Sequence, residues 1–532
     1  MGQRYAFLDY EGLQRYDQDW LDEFEKMALT EEEIDEIVTE AVYGKPFEYT
    51  INTVYPDTAV DGNSAIPFIL KNDGILLVDW GDGTTSTLSK SSAISDYIHY
   101  YVRRGKYNIK VRSNNWNNVY ILTDYSISES TPKNSLNYQC FYWKITLSSI
   151  NSPLPKIGGR YNSSYVANDF YYLFAYCYFL KNIHQDLFIN NVDVTSFENC
   201  FQNCTSLTSI PSGLFDKNTA ATSFYYCFSE CTSLTSIPSG LFDKNTAVTD
   251  FRYCFSECTS LTSIPAGLFD KNTAVTNFRY CFYGCSSLIS IPAGLFDKNT
   301  AVTTFYSCFY QCTSLQSIPS GLFDKNTAVT TFYSCFRGCS SLTSIPSGLF
   351  DKNTAVTNFG SCFYNCSSLQ SISSGLFDKN TRVTDLSYCF YGCSSLISIP
   401  AGLFDKNTAV TNFYSCFSEC SSLQSIPAGL FDNNTAVTGF DKCFFKCTSL
   451  TSIPSGLFDK NTKVTRFDYC FYSCSSLGGF TLYIKSPIVS NASLFVTKNT
   501  NVSRTIHVPN STTTYTTFQN IATSFNLTII GD

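Results

Sequence analysis

Cysteine is the side chain whose number and spacing most suggest chemistry in this sequence, with 24 copies among 532 residues. Twenty-two of them occur as pairs in the motif C-F-x-x-C. We predict that the motif forms a helical turn, in which residues four apart share one face and their Cβ vectors run parallel, a poor geometry for a disulfide. The spacing also differs from the usual zinc motifs, and none of His99, His184 and His507 lies beside a repeat cysteine pair. The motif therefore predicts buried thiols that act as small apolar residues, with disulfides between repeats and metal binding as the alternatives.

No catalytic constellation accompanies the cysteines. The sequence contains no G-x-S-x-G, H-E-x-x-H, phosphate-binding loop or dinucleotide fingerprint. Glu230, Glu257 and Glu419 could supply a carboxylate pair for glycoside hydrolysis, but they occupy equivalent positions of a repeat, where surface carboxylates are more often solvated. We predict no catalytic residue, no cofactor and no metal, so the chain is expected not to be an enzyme.

The cysteine motif returns at a constant interval. Eleven copies begin between Cys200 and Cys470, each 27 residues after the last and without insertion or deletion. A twelfth copy begins at Leu173, which replaces the first cysteine, while Cys177 keeps the second. A fixed period of this length is typical of a solenoid, in which each unit buries its apolar face against its neighbours.

The apolar pattern within one copy predicts its local structure. Leu261 and Ile264 suit a short strand, which Pro265 would end because proline cannot donate to a strand ladder. The preceding apolar residues have the spacing of one helical face: Phe251, Cys254, Phe255 and Cys258. The predicted fold class is α+β, a leucine-rich-repeat-type solenoid of about 12 units of 27 residues, each with a short strand and a short helix.

Three positions of the repeat vary, whereas the Leu-Phe-Asp and Asn-Thr positions barely change. Two of them follow the motif phenylalanine in succession, and the third lies two residues before the first cysteine. Tyr, Ser, Gly, Asn and Arg dominate there, a composition typical of binding loops, and tyrosine in successive repeats would suit sugar rings or a protein partner. The predicted binding residues are Tyr283, Tyr310, Arg337, Tyr364, Tyr391, Tyr306, Tyr333, Tyr414, Arg252 and Arg279.

Two alternatives to this binding surface stay open. The variation could be neutral change on an exposed helical face. A second candidate position lies in the predicted strand and mixes isoleucine with glutamine and threonine: Thr262, Ile289, Gln316, Thr343, Gln370, Ile397 and Gln424.

The first 45 residues are predicted to be a helical anchor or oligomerisation segment. Thr30 and Glu33 have the spacing of a capping box that starts a second helix. The first helix would carry an apolar stripe at steps of three or four residues: Leu13, Tyr16, Trp20, Phe24 and Met27. These stripes are too broad to be buried by the segment alone, so a partner or a second copy would cover them, unless the helices fold onto the next domain.

Composition excludes two classes of partner. The net charge is −8 and there is no basic stripe, so nucleic-acid binding is not expected. No stretch of 18 apolar residues exists, so no membrane insertion is expected. The first residues show no basic region followed by an apolar run, so no signal peptide is expected either.

Residues 46–125 change to alternating apolar and polar positions, which predicts strands. The segment Val78-Asp-Trp-Gly-Asp-Gly-Thr-Thr85, followed by His99-Tyr-Tyr and Gly105-Lys-Tyr-Asn-Ile-Lys-Val111, resembles the signature of a polycystic-kidney-disease-type (PKD-like) β-sandwich. Asp79 and Asp82 could suggest calcium, but we expect them to cap the turn.

The repeats resemble the BspA-type leucine-rich repeat family of surface proteins. The resemblance rests on the C-F-Y-G-C-S-S-L stretch of Cys281–Leu288 and the L-F-D-K-N-T-A-V-T stretch of Leu295–Thr303, which recur in register. It implies a role in adhesion or attachment. The tail from Thr505 to Ile530 resembles the strand–helix–strand cap of such arrays, and Tyr5–Tyr16 is similar to the openings of phage structural proteins.

The predicted domains are an N-terminal anchor (1–45), a PKD-like β-sandwich (46–125), a transition and N-terminal cap (126–172), the solenoid (173–478) and a C-terminal cap (479–532). The predicted function is recognition of a host cell-surface glycan or protein by a phage fibre or decoration protein. Residues 1–45 would bind other virion proteins, and the fibre could be a homotrimer. The alternatives are a bacterial BspA-type adhesin at the cell surface and, third, a virion-associated glycan-degrading enzyme.

Overall fold

The computed structural model describes most of the chain from residue 31 onward. The described residues are 31–53, 63–70, 73–103, 105–121, 144, 146–157, 169–493, 495–496, 501–510 and 512–532. The predicted anchor residues Leu13, Tyr16, Trp20, Phe24 and Met27 lie outside them, so their role stays a prediction.

One N-terminal helix is described, α1 (Glu31–Tyr43), where the capping box predicted a helix to start. Its Glu36 carboxylate lies 3.1 Å from Arg112 Nη2 and 3.5 Å from Lys110 Nζ, both on a strand of the following sheet. Glu36 is more than half exposed, and ion pairs at such sites contribute at most about 1 kcal/mol. These contacts therefore orient the helix without being needed to hold the sheet together.

An antiparallel sheet follows α1. Its strand order is β5-β4-β7-β1-β9, and two further pairs, β2-β6 and β3-β8, accompany it. The strands are β1 (Phe47–Asn52), β2 (Asn63–Ala65), β3 (Phe68–Leu70), β4 (Ile75–Asp79), β5 (Thr85–Ser89), β6 (Ile98–Tyr100), β7 (Lys106–Ser113), β8 (Val119–Ile121) and β9 (Leu147–Ile150). Short 3-10 helices occupy Ile94–Tyr97 and Trp116–Asn118. The PKD-like sandwich stays a prediction, although the predicted strands are present.

Strand β9 joins this sheet to the solenoid. Its Ile150 amide donates to Asn182 O at 3.0 Å, and the amide of Lys181 donates to Ser148 O at 2.9 Å. On its other side, the Tyr49 and Ile150 positions of β1 and β9 pair in the antiparallel sheet. The strand therefore lies between the N-terminal sheet and the first coil. It pairs with both, so neither leaves an open edge at this point that could pair with another chain.

The C-F-x-x-C segment is not a helical turn, which corrects the prediction. Tyr253 and Glu257, the residues just before the two cysteines of one copy, have φ of 56° and 58°. Side chains in this left-handed region cost about 1–2 kcal/mol each and interrupt an α-helix. Amides in the segment alternate instead: Cys254 N donates within its coil to Phe251 O (3.2 Å), and Phe255 N donates to Cys281 O of the next coil (2.9 Å).

The short strands predicted for each repeat are not formed in the described residues 169–479, where isolated parallel bridges between coils take their place. Ser263 pairs with Ser290 and Ser290 with Ser317, while Asp250 pairs with Asn277 on a second ladder.

The second of these bridge ladders runs from Asp169 to Asn491, whereas the serine ladder is interrupted and bridges only some of the coils between Ser263 and Ser425. The solenoid therefore consists of parallel bridges and turns and lacks the predicted helices in the described residues 169–493.

Columns of stacked phenylalanine fill the interior. Phe255 and Phe282, one repeat apart, are nearly parallel with ring centroids 5.8 Å apart. Phe269 tilts against Phe278 at 4.8 Å and ties two columns together. These rings are fully buried, and each buried ring contributes several kcal/mol, as Phe→Ala changes of about 3–5 kcal/mol indicate.

The C-terminal end has the predicted strand–helix–strand order. A parallel three-stranded sheet forms from β10 (Phe480–Tyr483), β11 (Arg504–Val508) and β12 (Thr528–Gly531), with α2 (Thr513–Phe525) between the last two strands. Phe518 of α2 is fully buried and meets Phe495 edge-on at 5.4 Å. The helix therefore covers the last apolar coil.

A column of buried asparagines runs beside the phenylalanines. Asn272 Nδ2 donates to Phe242 O at 3.0 Å and to Asn245 O at 2.9 Å, both in the preceding coil. The side chain is fully buried, so each bond satisfies a carbonyl that water cannot reach.

The substitution Asn272→Ala should destabilise the solenoid by about 2 kcal/mol, because it removes two buried hydrogen bonds between coils. The carbonyls of Phe242 and Asn245 each keep one backbone donor within their own coil. Urea unfolding followed by circular dichroism measures the change. The neighbouring Lys271 is exposed, so Lys271→Ala serves as the control and should shift the midpoint little; equal shifts for both variants would contradict the role of the asparagine column.

The 23 described cysteines are free and buried. This agrees with the prediction that the motif cysteines act as small apolar residues. Cys258 Sγ donates to Phe228 O at 3.1 Å. Burial raises the pKa of the Cys254 and Cys258 thiols well above the ordinary value, so they stay protonated where an exposed thiol of pKa about 8.5 ionises.

Native protein at pH 9 should therefore react with a thiol reagent such as DTNB at no more than one of its 24 cysteines, because reaction needs the thiolate. Complete reaction should follow unfolding in guanidinium chloride. Rapid native reaction at many thiols, or fewer than the full number after unfolding without reductant, would contradict a column of buried reduced cysteines.

Candidate functional site

The predicted binding residues lie in two neighbouring columns on the outside of the solenoid, and all ten side chains are half-buried. We call the residues after the motif phenylalanine, Tyr283, Tyr310, Arg337, Tyr364 and Tyr391, the first ladder. The second ladder comprises the residues two positions before the first cysteine: Tyr225, Arg252, Arg279, Tyr306, Tyr333 and Tyr414. Each repeat places its side chain directly beside its copy in the next coil, because the backbone hydrogen bonds keep the coils in register.

The first ladder is continuous over five repeats. Tyr283 stacks on Tyr310 at 4.7 Å, and Tyr364 stacks on Tyr391 at 4.4 Å. Arg337 fills the space between the two pairs, with its guanidinium carbon 5.4 Å from the Tyr310 ring centre and 3.9 Å from that of Tyr364. A cation between two aromatic faces gains about 0.5–1 kcal/mol or more from each, so the guanidinium is held in one orientation.

The second ladder has the same construction but contains a gap. Arg252 lies over Tyr225 at 4.8 Å, Arg279 lies over Tyr306 at 4.6 Å, and Tyr306 stacks on Tyr333 at 5.0 Å. Gly360 and Ser387 then occupy the next two copies before Tyr414 resumes the column. The Tyr333 ring covers Gly360, where an added Cβ would lie 3.1 Å from it.

The arginines differ in their charge partners. Arg252 Nε donates to both Asp250 oxygens, at 3.0 and 2.9 Å. Arg279 and Arg337 form no ion pair with any described residue. Their positive charges are therefore available to an anionic or strongly polar ligand, whereas that of Arg252 is neutralised.

A third aromatic column was missed by the sequence reasoning. Tyr226, Tyr253 and Tyr280, directly before the first cysteine, stack at 4.2 and 4.3 Å. Tyr280 also contacts Tyr306 (5.3 Å) and Tyr283 (5.8 Å), which links the two ladders. The signal was present in the sequence, since this position also varies between copies, but a helical interpretation gave it no reason to point outward.

The stacking decides which atoms a ligand can reach. A ring between two parallel rings has both faces covered, so it presents its edge and hydroxyl group. Burial and the hydrogen bond to Tyr280 raise the pKa of Tyr306 to about 12, and burial and Tyr414 raise that of Tyr388 to about 12. The ladders therefore offer rows of protonated hydroxyl groups and fixed guanidinium groups, while sugar stacking on ring faces is confined to gaps and column ends.

The second candidate position, in the predicted strand, is exposed in every copy from Thr262 to Gln424. Ile289 and Ile397 are 46% and 49% exposed. The backbone of the position pairs between coils, as Ile289 N donates to Thr262 O at 3.2 Å. It forms a row of mixed apolar and polar side chains with no repeated chemistry.

Of the three carboxylates that could serve hydrolysis, Glu230 and Glu257 lie in adjacent coils and Glu419 lies apart from them. Glu230 accepts from Asn203 Nδ2 at 2.7 Å, and Glu419 accepts from Lys446 Nζ at 2.9 Å, seven coils farther on. Burial and the neighbouring Glu230 raise the pKa of Glu257 from its ordinary value. Among the described residues no group of three or more His, Cys, Asp or Glu side chains could hold a metal ion.

The turn after β4 is capped by its own carboxylates, as predicted. Asp79 Oδ1 accepts from Gly81 N at 2.8 Å, and Asp82 Oδ1 accepts from Thr84 N at 3.1 Å. Burial opposes ionisation of Asp82, but hydrogen bonds from Thr84 and His99 hold its pKa below the ordinary value. His99 also stacks on the buried Trp80 at 4.8 Å, so these groups stabilise the turn.

The sequence matches the family described as the BspA type leucine rich repeat region over residues 224–347, 252–426, 334–477 and 386–523. Together these matches span more than half of the chain, and the chain belongs to this family. A search among curated proteins found no match. No helix of the described residues is long and apolar enough to cross a membrane.

One solved structure similar to this chain is a leucine rich cell surface protein from Faecalibacterium prausnitzii A2-165. The two sequences are 21% identical, and the similarity covers 58% of this chain and 85% of that one, with a TM-score of 0.27. Because the two chains do not superpose as wholes at this score, the family assignment rests on the sequence match.

Proposed function

We propose that this chain is a non-enzymatic recognition protein that binds a glycan or protein on a cell surface through its aromatic ladders. The observation that carries the proposal is the first ladder, in which Arg337 lies between the rings of Tyr310 and Tyr364 and forms no ion pair with an acidic side chain of the described residues. Side chains held in advance lose little conformational entropy on binding, which favours recognition. Tyrosine and arginine are also the residues most enriched at binding hot spots.

We propose two alternative locations for this binding activity, a bacterial cell surface and a phage particle. Membership of the BspA-type family supports display on a bacterial cell surface, since the repeats resemble those of a family of surface proteins. The opening residues, similar to those of phage structural proteins, support a virion fibre or decoration protein that would be anchored through residues 1–45 and would assemble as a homotrimer. In either case the solenoid would contact the foreign surface, and the β-sheet region would space it from its anchor.

The binding role predicts different effects for two arginines. Arg337→Ala should weaken binding to host cells by at least about tenfold, because it removes a fixed guanidinium from the first ladder. Arg382 is exposed and lies outside the ladders, so Arg382→Ala should bind like the parent with the same change in net charge. Fluorescently labelled protein and flow cytometry on the host bacteria measure both.

Equal binding of the two variants and the parent would contradict recognition by the first ladder. Release of new reducing ends from host polysaccharide by the purified protein would instead favour the third class, a glycan-degrading enzyme. Unchanged melting temperatures would show that the effect of Arg337→Ala is on binding.

Deletion of residues 1–45 tests whether these residues anchor the protein in a phage particle. The truncated protein should stay folded, because α1 contacts the described sheet through the exposed Glu36 ion pairs, each contributing at most about 1 kcal/mol. It should be absent from purified phage particles, as measured by immunoblotting against the full-length protein. Normal incorporation would contradict the anchor, and labelling of bacterial surfaces in the absence of phage would favour the adhesin.

A further inference from the structure

One position of the repeat works as a cap for the turn that carries the second ladder. In each described coil from Asp169 to Asn412, its side-chain oxygen accepts a hydrogen bond from the amide two residues later. Asn277 Oδ1 accepts from Arg279 N at 2.9 Å, and Asn412 Oδ1 accepts from Tyr414 N at 2.9 Å. We call it the capping position. Its members are Asp169, Ser196, Ser223, Asp250, Asn277, Thr304, Thr331, Asn358, Asp385 and Asn412.

The next two coils break this pattern. Gly439 has no side chain at the capping position, and Arg466, which follows it, has no acceptor atom. Asp441 supplies the missing cap in the second case, since its Oδ1 accepts from Asp468 N at 2.8 Å. Asp441 therefore replaces the hydrogen-bond acceptor that Arg466 cannot supply. No described side chain replaces the acceptor that is missing at Gly439.

A polar cleft opens where Gly439 lacks a side chain. Its volume is about 340 Å³, and Tyr414 of the second ladder forms one wall. Asp441 and Arg466 also line the cleft, together with one threonine from each of three successive coils: Thr411, Thr438 and Thr465. Sites for small ligands are about 300–1,000 Å³ and combine an apolar or aromatic wall with a few placed polar groups.

The charged groups in the cleft form a neutral pair. Arg466 Nε lies 2.9 Å from Asp441 Oδ2; the aspartate side chain is 8% exposed, whereas that of the arginine is 55% exposed. The aspartate is fixed by the arginine and by the Asp468 amide, and the outer edge of the guanidinium remains open to solvent. Such a pair can accept and donate hydrogen bonds to one ligand without a net charge of its own.

We propose that this cleft binds a single neutral pyranose residue of a surface glycan. The proposal deepens the proposed function and rests on it. The Tyr414 ring would lie against the apolar C–H face of the sugar, because the adjoining coil places Asp441 and not another ring beside it. Lys442 of that coil has its Nζ 5.9 Å from the Tyr414 ring centre but does not line the cleft.

Asp441 and Arg466 would bond the sugar hydroxyl groups, replacing the water they lose. The hydroxyl groups of Thr411 and Thr465 already donate to carbonyls of the preceding coil, at 3.3 and 3.2 Å, so they would accept hydrogen bonds from the sugar.

Size and charge select this class of ligand. The volume lies at the lower end of the range for small-ligand sites, which suits one ring and not an extended oligosaccharide. A sugar acid would bring a carboxylate to a cleft in which the arginine is already neutralised and in which Asp441 would repel it. A neutral sugar carries no carboxylate, so Asp441 does not repel it and it needs no unpaired cation.

The decisive variant restores the repeat pattern. Gly439 is not in the left-handed region, and an added Cβ would meet Asp441 Oδ2 at 3.4 Å and Arg466 Cβ at 3.7 Å, which are ordinary contacts. Gly439→Asn therefore fits the backbone, can cap the Asp441 amide as Asn412 caps that of Tyr414, and fills the cleft. Thr304→Asn, a change at the capping position five coils earlier, is the matched control.

Saturation-transfer-difference NMR of the full chain with methyl α-glycosides of glucose, galactose, mannose and N-acetylglucosamine, and with glucuronate, provides the measurement. At least one neutral glycoside should bind the parent and Thr304→Asn equally, and Gly439→Asn should bind it about tenfold more weakly or not at all. Binding that survives in Gly439→Asn, or no binding of any neutral glycoside to the parent, would overturn the proposal; preference for glucuronate would overturn the neutral class.

The two proposals fail separately. If host-cell binding depends on Arg337 but no glycoside binds the parent protein, the cleft proposal is wrong and the recognition role stands. If a neutral glycoside binds in a manner abolished by Gly439→Asn while the parent protein does not bind host cells, the cleft is correct and the recognition role of the ladders is wrong.

Discussion

The hydrogen bonds between successive coils fix the rest of this structure. In each repeat the amide of the motif phenylalanine donates to the carbonyl of the first cysteine in the next coil, as Phe255 does to Cys281 at 2.9 Å. Two residues with positive φ, such as Tyr253 and Glu257, turn the backbone so that these donors point along the solenoid and not around it. Because the period never changes, every side chain then lies beside its own copy.

The alignment of equivalent residues in successive coils has opposite consequences in the core and on the surface of the solenoid. Inside, identical rings and amides stack into columns, and Asn272 can bond two carbonyls of the preceding coil. Outside, tyrosines cover one another's faces, so a uniform row offers edges and hydroxyl groups. Specific chemistry therefore arises where a copy departs from the pattern, as Arg337 does between Tyr310 and Tyr364 and as Gly439 does beside Tyr414.

The period, the apolar core and the C-terminal cap could be predicted from sequence because each follows from spacing. Phe251, Cys254, Phe255 and Cys258 are all fully buried, as the spacing predicts. The helix assigned to them was wrong because an i, i+3, i+4, i+7 pattern also fits two consecutive turns that each end in a left-handed residue. The position before the second cysteine did carry a signal, since it holds glycine in three copies and asparagine in two, and both residue types favour positive φ. The tyrosine, serine and glutamate residues at the other left-handed positions seldom adopt positive φ and obscured that signal.

The candidate site was predictable only in part. Exchangeable positions could be found by comparing copies, and they do form two ladders. Their mutual stacking, the linking role of Tyr280 and the cap supplied by Asp441 depend on neighbouring coils 27 residues away. Such contacts become visible only when the local backbone path is known, because that path determines which side chains face outward.

Hydrogen exchange measured by mass spectrometry tests the register most directly. The account predicts that peptides containing the C-F-x-x-C motif are strongly and similarly protected in every coil from Cys200 to Cys447, because each motif amide donates within its coil or to the next one. Exchange within seconds in central coils, or protection confined to isolated copies, would show that the coils do not stack in register and would contradict the ladders built on that stacking.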